Sequence, residues 1–155
     1  MSRDNVCSFY VSEFHLITIL MPYANEKILK GEEIELILQE DLRKEIKKFL
    51  KIKDINYEIN KILKLNWNKS REVKNGNMIK NTVIVAGDEK YVENMKYKLK
   101  DRNCSELVCA YKVDKMDRLK DISNKYDYFL NTLGKNNLIK NSQSEQKIKT
   151  IQTQF

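Results

Sequence analysis

Residues 81–86, Asn-Thr-Val-Ile-Val-Ala, are almost unbroken β-branched and apolar sequence, and they run straight into Gly87-Asp88. A strand like this has no wet face. Successive side chains point to opposite sides of a sheet, so both sides need cover, and the common solution is a parallel sheet between layers of helices. Four other stretches read as strands: 6–11, 33–38, 106–113 and, most weakly, 62–67. Between them the apolar residues recur at helical spacing. Phe14, Ile17, Leu20, Met21, Ala24 and Ile28 mark one helix, with Ser12 placed to cap it, Pro22 placed to kink it and Gly31 placed to end it. Leu42, Ile46, Phe49 and Leu50 mark a second, and Val92, Met95 and Leu99 a third that Asp88 can cap. Leu119, Ile122, Tyr126, Phe129, Leu130 and Leu133 predict a fourth, closed by Gly134. Strand and helix thus alternate. The expected fold class is α/β: a single domain over residues 1–134 with a mainly parallel five-stranded sheet flanked by helices, Rossmann- or RecA-like. Residues 68–80 read as a loop and 135–155 as a flexible polar tail.

At 155 residues the chain is long enough to bury a core without disulfides or metal. Cys7, Cys104 and Cys109 form no C-x-x-C pair, and one histidine cannot complete a zinc site, so reduced core thiols are expected and neither metal nor cofactor is implied. No apolar run approaches a membrane span, and the opening Met1-Ser-Arg-Asp lacks the apolar core of a signal peptide. The expectation is a cytoplasmic protein with no membrane partner.

The formal charge is +7, and lysine supplies 24 of the 29 cations. The excess is uneven: residues 43–80 hold 12 cations against 4 acids. A solvated lysine face is the default reading of such a stretch. A nucleic-acid-associated protein is the alternative, and it would use Arg43, Lys44, Lys47, Lys48, Lys51, Lys69 and Arg71.

Nucleotide-binding signatures are absent. The glycines stand at 31, 76, 87 and 134, so neither a G-x-x-x-x-G-K-[ST] loop nor a G-x-G-x-x-G turn exists. Ser-Glu-Phe-His-Leu follows the first strand, and Glu13 would repel a phosphate. No nucleophile elbow is present, and His15 is the only imidazole. These absences favour a non-enzymatic role.

Cys7-Ser-Phe-Tyr-Val-Ser-Glu-Phe-His-Leu, then Leu20-Met-Pro-Tyr, then Leu29-Lys-Gly-Glu-Glu-Ile-Glu-Leu-Ile-Leu, resembles the opening of the MEDS (methanogen/methylotroph, DcmR-type sensory) family. The similarity extends across roughly residues 6–133. It implies a RecA-type core without a working phosphate loop, and a sensory or regulatory module that binds a small ligand or a protein partner.

In open α/β sheets ligands bind beyond the carboxyl ends of the strands. The residues expected there are Ser12, His15, Glu40, Trp67 and Asp88. Ser12 and Asp88 would sit at helix starts, where the dipole favours anionic or polar groups, although each also satisfies a cap. Trp67 offers a stacking platform or a core aromatic. Glu40 disfavours a highly charged phosphate.

Overall fold

The structure is a computed structural model, described here over residues 3–52, 56–70, 81–114 and 118–137. Six strands form one sheet: β1 (Asp4–Tyr10), β2 (Ile34–Leu38), β3 (Thr82–Gly87), β4 (Glu106–Lys112), β5 (Tyr128–Asn131) and β6 (Gly134–Asn137). Their order is β2-β3-β4-β1-β5-β6. All pairings are parallel except β5 with β6. The helices are α1 (Glu13–Leu29), α2 (Arg43–Ile52), α3 (Ile59–Leu63), α4 (Glu89–Lys98) and α5 (Leu119–Ser123).

The strand period divides the core into two. Val6, Leu36, Leu38, Ile84, Ala86, Val108 and Ala110 face α1, α2 and α3. Cys7, Phe9, Ile37, Val83, Val85, Leu107, Cys109 and Tyr111 face α4 and α5. All six residues of β3 are buried, as its sequence demands. The three cysteines are buried and form no disulfide.

Local chemistry sets the helix ends. The Ser12 hydroxyl oxygen accepts the His15 amide at 3.1 Å and starts α1. At the other end Gly31 takes φ +74°. Its amide donates to Ile28, and the Glu32 amide reaches back to Lys27, both at 3.0 Å. That paired return needs a left-handed residue, which glycine adopts without steric cost. α1 runs through Pro22 as one helix. It is also buried on more than one side: Leu16, Ile19, Tyr23 and Asn25 are covered as well as the predicted stripe, because α2 and α3 pack outside it. Beyond α3 the chain reaches the outer edge of β2, where the Ser70 amide donates to the Leu38 carbonyl at 2.7 Å.

Two predicted elements are different in the structure. The strand expected at 62–67 is instead α3 followed by a turn, with Ile62 and Trp67 in the core. A short apolar run does not separate strand from helix by periodicity. The long helix expected over 119–133 stops at Ser123; Tyr-Phe-Leu-Asn then pairs as β5 along β1. The 3.6-residue spacing was matched by chance, and the aromatic, β-favouring 126–130 segment covers what would otherwise be an open edge of β1. Leu119, Ile122, Tyr126, Phe129 and Leu130 are buried as expected, but Leu133 is exposed in the hairpin turn. Gly134, at φ +112°, opens β6 rather than closing a helix. The sheet therefore has six strands, not five, and residues 135–137 of the expected tail belong to it; 138–155 and 71–80 lie outside the described residues.

Candidate ligand site

β1 and β4 are neighbours, but the chain leaves them in opposite directions. After β1 it enters α1 on one face of the sheet; after β4 it reaches α5 on the other. Adjacent strands whose exits diverge leave a crevice between them at their carboxyl ends. A cleft of about 770 Å³ lies there. The start of α4 contributes Asp88, Glu89 and Lys90. The end of β4 contributes Tyr111, Lys112 and Asp114. Arg118 and Ile122 close the α5 side, and Val11 the β1 side.

The rim is electrostatically mixed. Lys112 bonds Glu13 at 2.6 Å across the β4–β1 exits, and this bond holds the Glu13 carboxyl below its usual range. Arg118 bonds Glu89 at 2.7 Å and lowers its pKa, and it also reaches Asp121 at 3.3 Å. Asp88 accepts the Tyr91 amide at 2.8 Å, capping α4, and this bond followed by one from Gln39 keeps it ionised to lower pH than usual. Lys90 makes no close ion pair among the described residues, although its charge helps to lower the Asp88 pKa, and it stands in the first turn of α4, where the helix dipole disfavours a cation.

Gln39 fixes the α4 end of the cleft. Its side-chain oxygen accepts the Asp88 amide at 2.7 Å, and its nitrogen donates to the Asp88 carboxylate at 2.9 Å. The exit of β2 is thereby tied to the exit of β3. Gly87 makes the link fit, since a Cβ there would stand 2.6 Å from the Gln39 oxygen.

Beneath the cleft lies a polar network centred on the buried Tyr111 and Tyr126. Tyr111 donates to Glu93 at 2.8 Å and shares a short hydrogen bond with Tyr126, which accepts from Lys96 at 3.1 Å. Burial pushes both phenols upward, and pushes the Cys109 thiol up to about 11. These groups stay protonated at neutral pH. They hold the floor rigid and are poor nucleophiles.

Of the five residues expected to line a site, Asp88 lines this cleft and the other four lie elsewhere. Ser12 is engaged as the α1 cap. His15 Nδ1 accepts the Val11 amide at 3.1 Å, and burial lowers its pKa, so the ring is neutral and closes the β1–α1 turn. Glu40 is exposed on the α1 side, where a hollow among Tyr10, Leu16, Leu38, Leu42 and Ala86 has no room for a water-sized group. Trp67 is 3 % exposed, and its indole N–H donates to the Ile62 carbonyl at 2.7 Å. It is a core residue, far from any stacking role. Sequence reasoning missed Lys90, Tyr111, Lys112 and Arg118. The against-dipole lysine at position 90 was the one local signal of them.

Among the alternative basic set, Lys44, Lys47, Lys48, Lys51 and Lys69 are exposed, Arg43 is held by Asp41 at 2.6 Å, and Arg71 lies outside the described residues. No group of three or more potential metal-ligating side chains occurs among the described residues. No described helix is long and apolar enough to cross a membrane. Set against protein-family models, curated proteins and solved structures, the chain has no match, so its site stands on its own geometry.

Proposed function

We propose that this chain is a non-enzymatic sensory or regulatory domain of the MEDS type, working in the cytoplasm, whose small ligand occupies the cleft between the β1 and β4 exits. The observation that carries the reading is that cleft. It lies where the sheet topology opens, it has the volume of a small-molecule site, and its rim presents carboxylates and cations together. A ligand bearing both an anionic and a cationic or hydrogen-bond-donating group suits such a rim: Lys90 meets the first, Asp88 and Asp114 the second. Binding there touches α4 and the β4–α5 connection together, which is how occupancy would be passed to a protein partner.

The RecA-type reading draws support from the central position of β1 and from β4 lying between β1 and β3. No ATP hydrolysis is expected, on geometric grounds. Only Val11 and Ser12 separate β1 from α1, too few to wrap a phosphate chain, and the Glu13 carboxylate stands at the helix start. Glu13 also engages Lys112, so that lysine is not free to neutralise a triphosphate.

The test is a binding screen on the purified chain by amide NMR, using zwitterionic amino acids, small carboxylates and ATP as probes. The expected result is saturable shifts at residues 88–90 and 111–114, abolished by Val11→Trp, which fills the cleft mouth. Shifts confined to the α1 side, or ATP turnover by the purified chain, would overturn the reading.

A further inference from the structure

Ion pairing is unevenly distributed over this molecule. Lys27 and Lys135 are paired with Glu106, Lys30 with Glu26, Arg102 with Glu35, Lys112 with Glu13 and Arg118 with Glu89. α2 is different. Lys44, Lys47, Lys48 and Lys51 are all exposed, and none is paired with a carboxylate among the described residues. At 100° per residue these four fall on the arc opposite Ile46 and Phe49, which are buried. They form a ridge about 10 Å long at 1.5 Å per residue. Lys44 with Lys48, and Lys47 with Lys51, are like-charge pairs at i,i+4, which oppose helix formation. The fold tolerates them because tertiary packing of Ile46 and Phe49 holds α2 in place. Lys61 and Lys64 on and beside α3, and Lys69 after it, add exposed cations to the same side of the sheet.

We infer that the lysine ridge of α2 is a docking surface for the phosphate backbone of duplex nucleic acid, bound without sequence preference. Charge complementarity carries the assignment: a row of cations with no carboxylate partner among the described residues, one of them (Lys48) over the Phe14 ring, matches a polyanion, whose released counterions drive association. The absence of base-reading chemistry on the ridge sets the mode. Its side chains are lysines, the nearby aromatics Phe49 and Trp67 are in the core, and the half-buried Phe14 ring is already covered by the Lys48 ammonium at 5.8 Å, which disfavours stacking of single-stranded bases. The apolar face of α2 is covered at Ile46 and Phe49, and Ile52 is the one large apolar side chain of the helix that is strongly exposed, too little surface to anchor it in a bilayer. The ridge and the cleft lie on opposite faces of the sheet, and this inference does not depend on the ligand reading.

Fluorescence anisotropy of a labelled 20-base-pair duplex tests it. Binding is expected at 50 mM salt, weakening about tenfold for each doubling of salt if four phosphates are engaged. Lys47→Glu with Lys51→Glu should weaken binding at least tenfold and flatten the salt dependence. The milder Lys47→Gln with Lys51→Gln should give an intermediate loss, and unchanged Trp67 fluorescence on both verifies the fold. Lys98→Glu with Lys100→Glu, at the far end of α4, should leave binding intact. No binding at 50 mM salt, equal losses from the two charge-reversed pairs, a preference for single-stranded oligonucleotide, or binding to phosphatidylserine vesicles but not to duplex would each overturn the inference.

Discussion

Replacing Gly87 with alanine tests whether the cleft is built around the Gln39–Asp88 clasp. The backbone at Gly87 is not in the left-handed region, so a side chain there meets no conformational penalty and the effect is steric. The added Cβ would stand 2.6 Å from the Gln39 side-chain oxygen, 2.6 Å from Tyr91 Cδ1 and 2.8 Å from Gln39 Cβ. Ordinary contacts begin near 3.4 Å, so the two side chains must retreat by several tenths of an ångström at least. Gln39 can swing outward, but it then loses both bonds to Asp88. Tyr91 is harder to move, because its hydroxyl donates to the Ser70 carbonyl at 3.2 Å. Overpacking of this kind costs about 1–3 kcal/mol. The two exposed hydrogen bonds add about 1 kcal/mol, since water replaces part of each. Alanine recovers about 0.5–1 kcal/mol by restricting the unfolded chain. The net expectation is a loss of about 2 kcal/mol, or a melting temperature lower by roughly 4–8 °C for a domain of this size. Urea unfolding followed by Trp67 fluorescence gives the number. Gln39→Ala removes one clashing side chain, so the double variant should be less destabilised than the sum of the singles. A Gly87→Ala protein as stable as the parent, or strict additivity, would refute the argument.

Three further expectations rest on separate parts of the fold. Ser8 is fully buried in β1 and donates to the Leu130 carbonyl at 2.7 Å; Ser8→Ala should cost about 1 kcal/mol in urea unfolding and raise amide exchange across β5. Glu106 is buried among Tyr23, Lys27 and Lys135. Burial raises its pKa, but the Tyr23 bond and the two lysines together bring it below its ordinary value. A depressed folded-state pKa means stability is fully present above the unfolded value and lost as pH falls through the folded one. Acid melts should steepen below about pH 4.5, and Glu106→Gln should both flatten that acid loss and cost about 2–4 kcal/mol at neutral pH, Lys27 and Lys135 keeping only their longer pairs to Glu32 at 3.5 Å and Asp4 at 3.8 Å. His15 titrates low because it is partly buried, so the unfolded chain binds its proton more readily. Stability from this group is present above about pH 6.5 and declines as pH falls below it, and His15→Asn, scanned from pH 5 to 8, should remove that slope.

The sheet was legible because its central strands carry their own constraint. Val83, Ile84, Val85 and Ala86 are buried on both faces, and no other secondary structure accommodates such a run so economically. Caps were legible for the same local reason: Ser12, Asp88 and Gly31 act within a few residues of themselves. The 119–133 segment failed because its decisive contact is remote. Nothing near Tyr128 in sequence announces that Val6 and Cys7 need a parallel neighbour. Ile62 and Trp67 failed similarly, since packing on α1, not periodicity, decides their conformation.

The site shows where strand-end reasoning stops. The rule that ligands gather at carboxyl ends holds for every strand exit, but it does not say on which face the exits part. That depends on strand order, which places β4 beside β1 although 95 residues lie between Tyr10 and Glu106. Once those two strands are neighbours, the opposed departures of α1 and α5 open the α4–α5 side, while Leu16, Leu38 and Leu42 close the α1 side. Ser12, His15 and Glu40 therefore stand at the same carboxyl end of the sheet as the cleft, but on its closed face. Asp88 alone belongs to both readings, because the strand before it lies next to β4 and the helix it caps lies on the open face. The two faces are thus divided in chemistry as well as in packing: a cleft with mixed charge on the α4–α5 side, and a lysine ridge on the outer surface of the α1–α2 layer. A variant that fills the cleft, Val11→Trp, should leave duplex binding by the ridge unchanged at fixed salt. Loss of both activities in that variant would mean that the faces are coupled through β1, and would show that their separation by the sheet is only geometric.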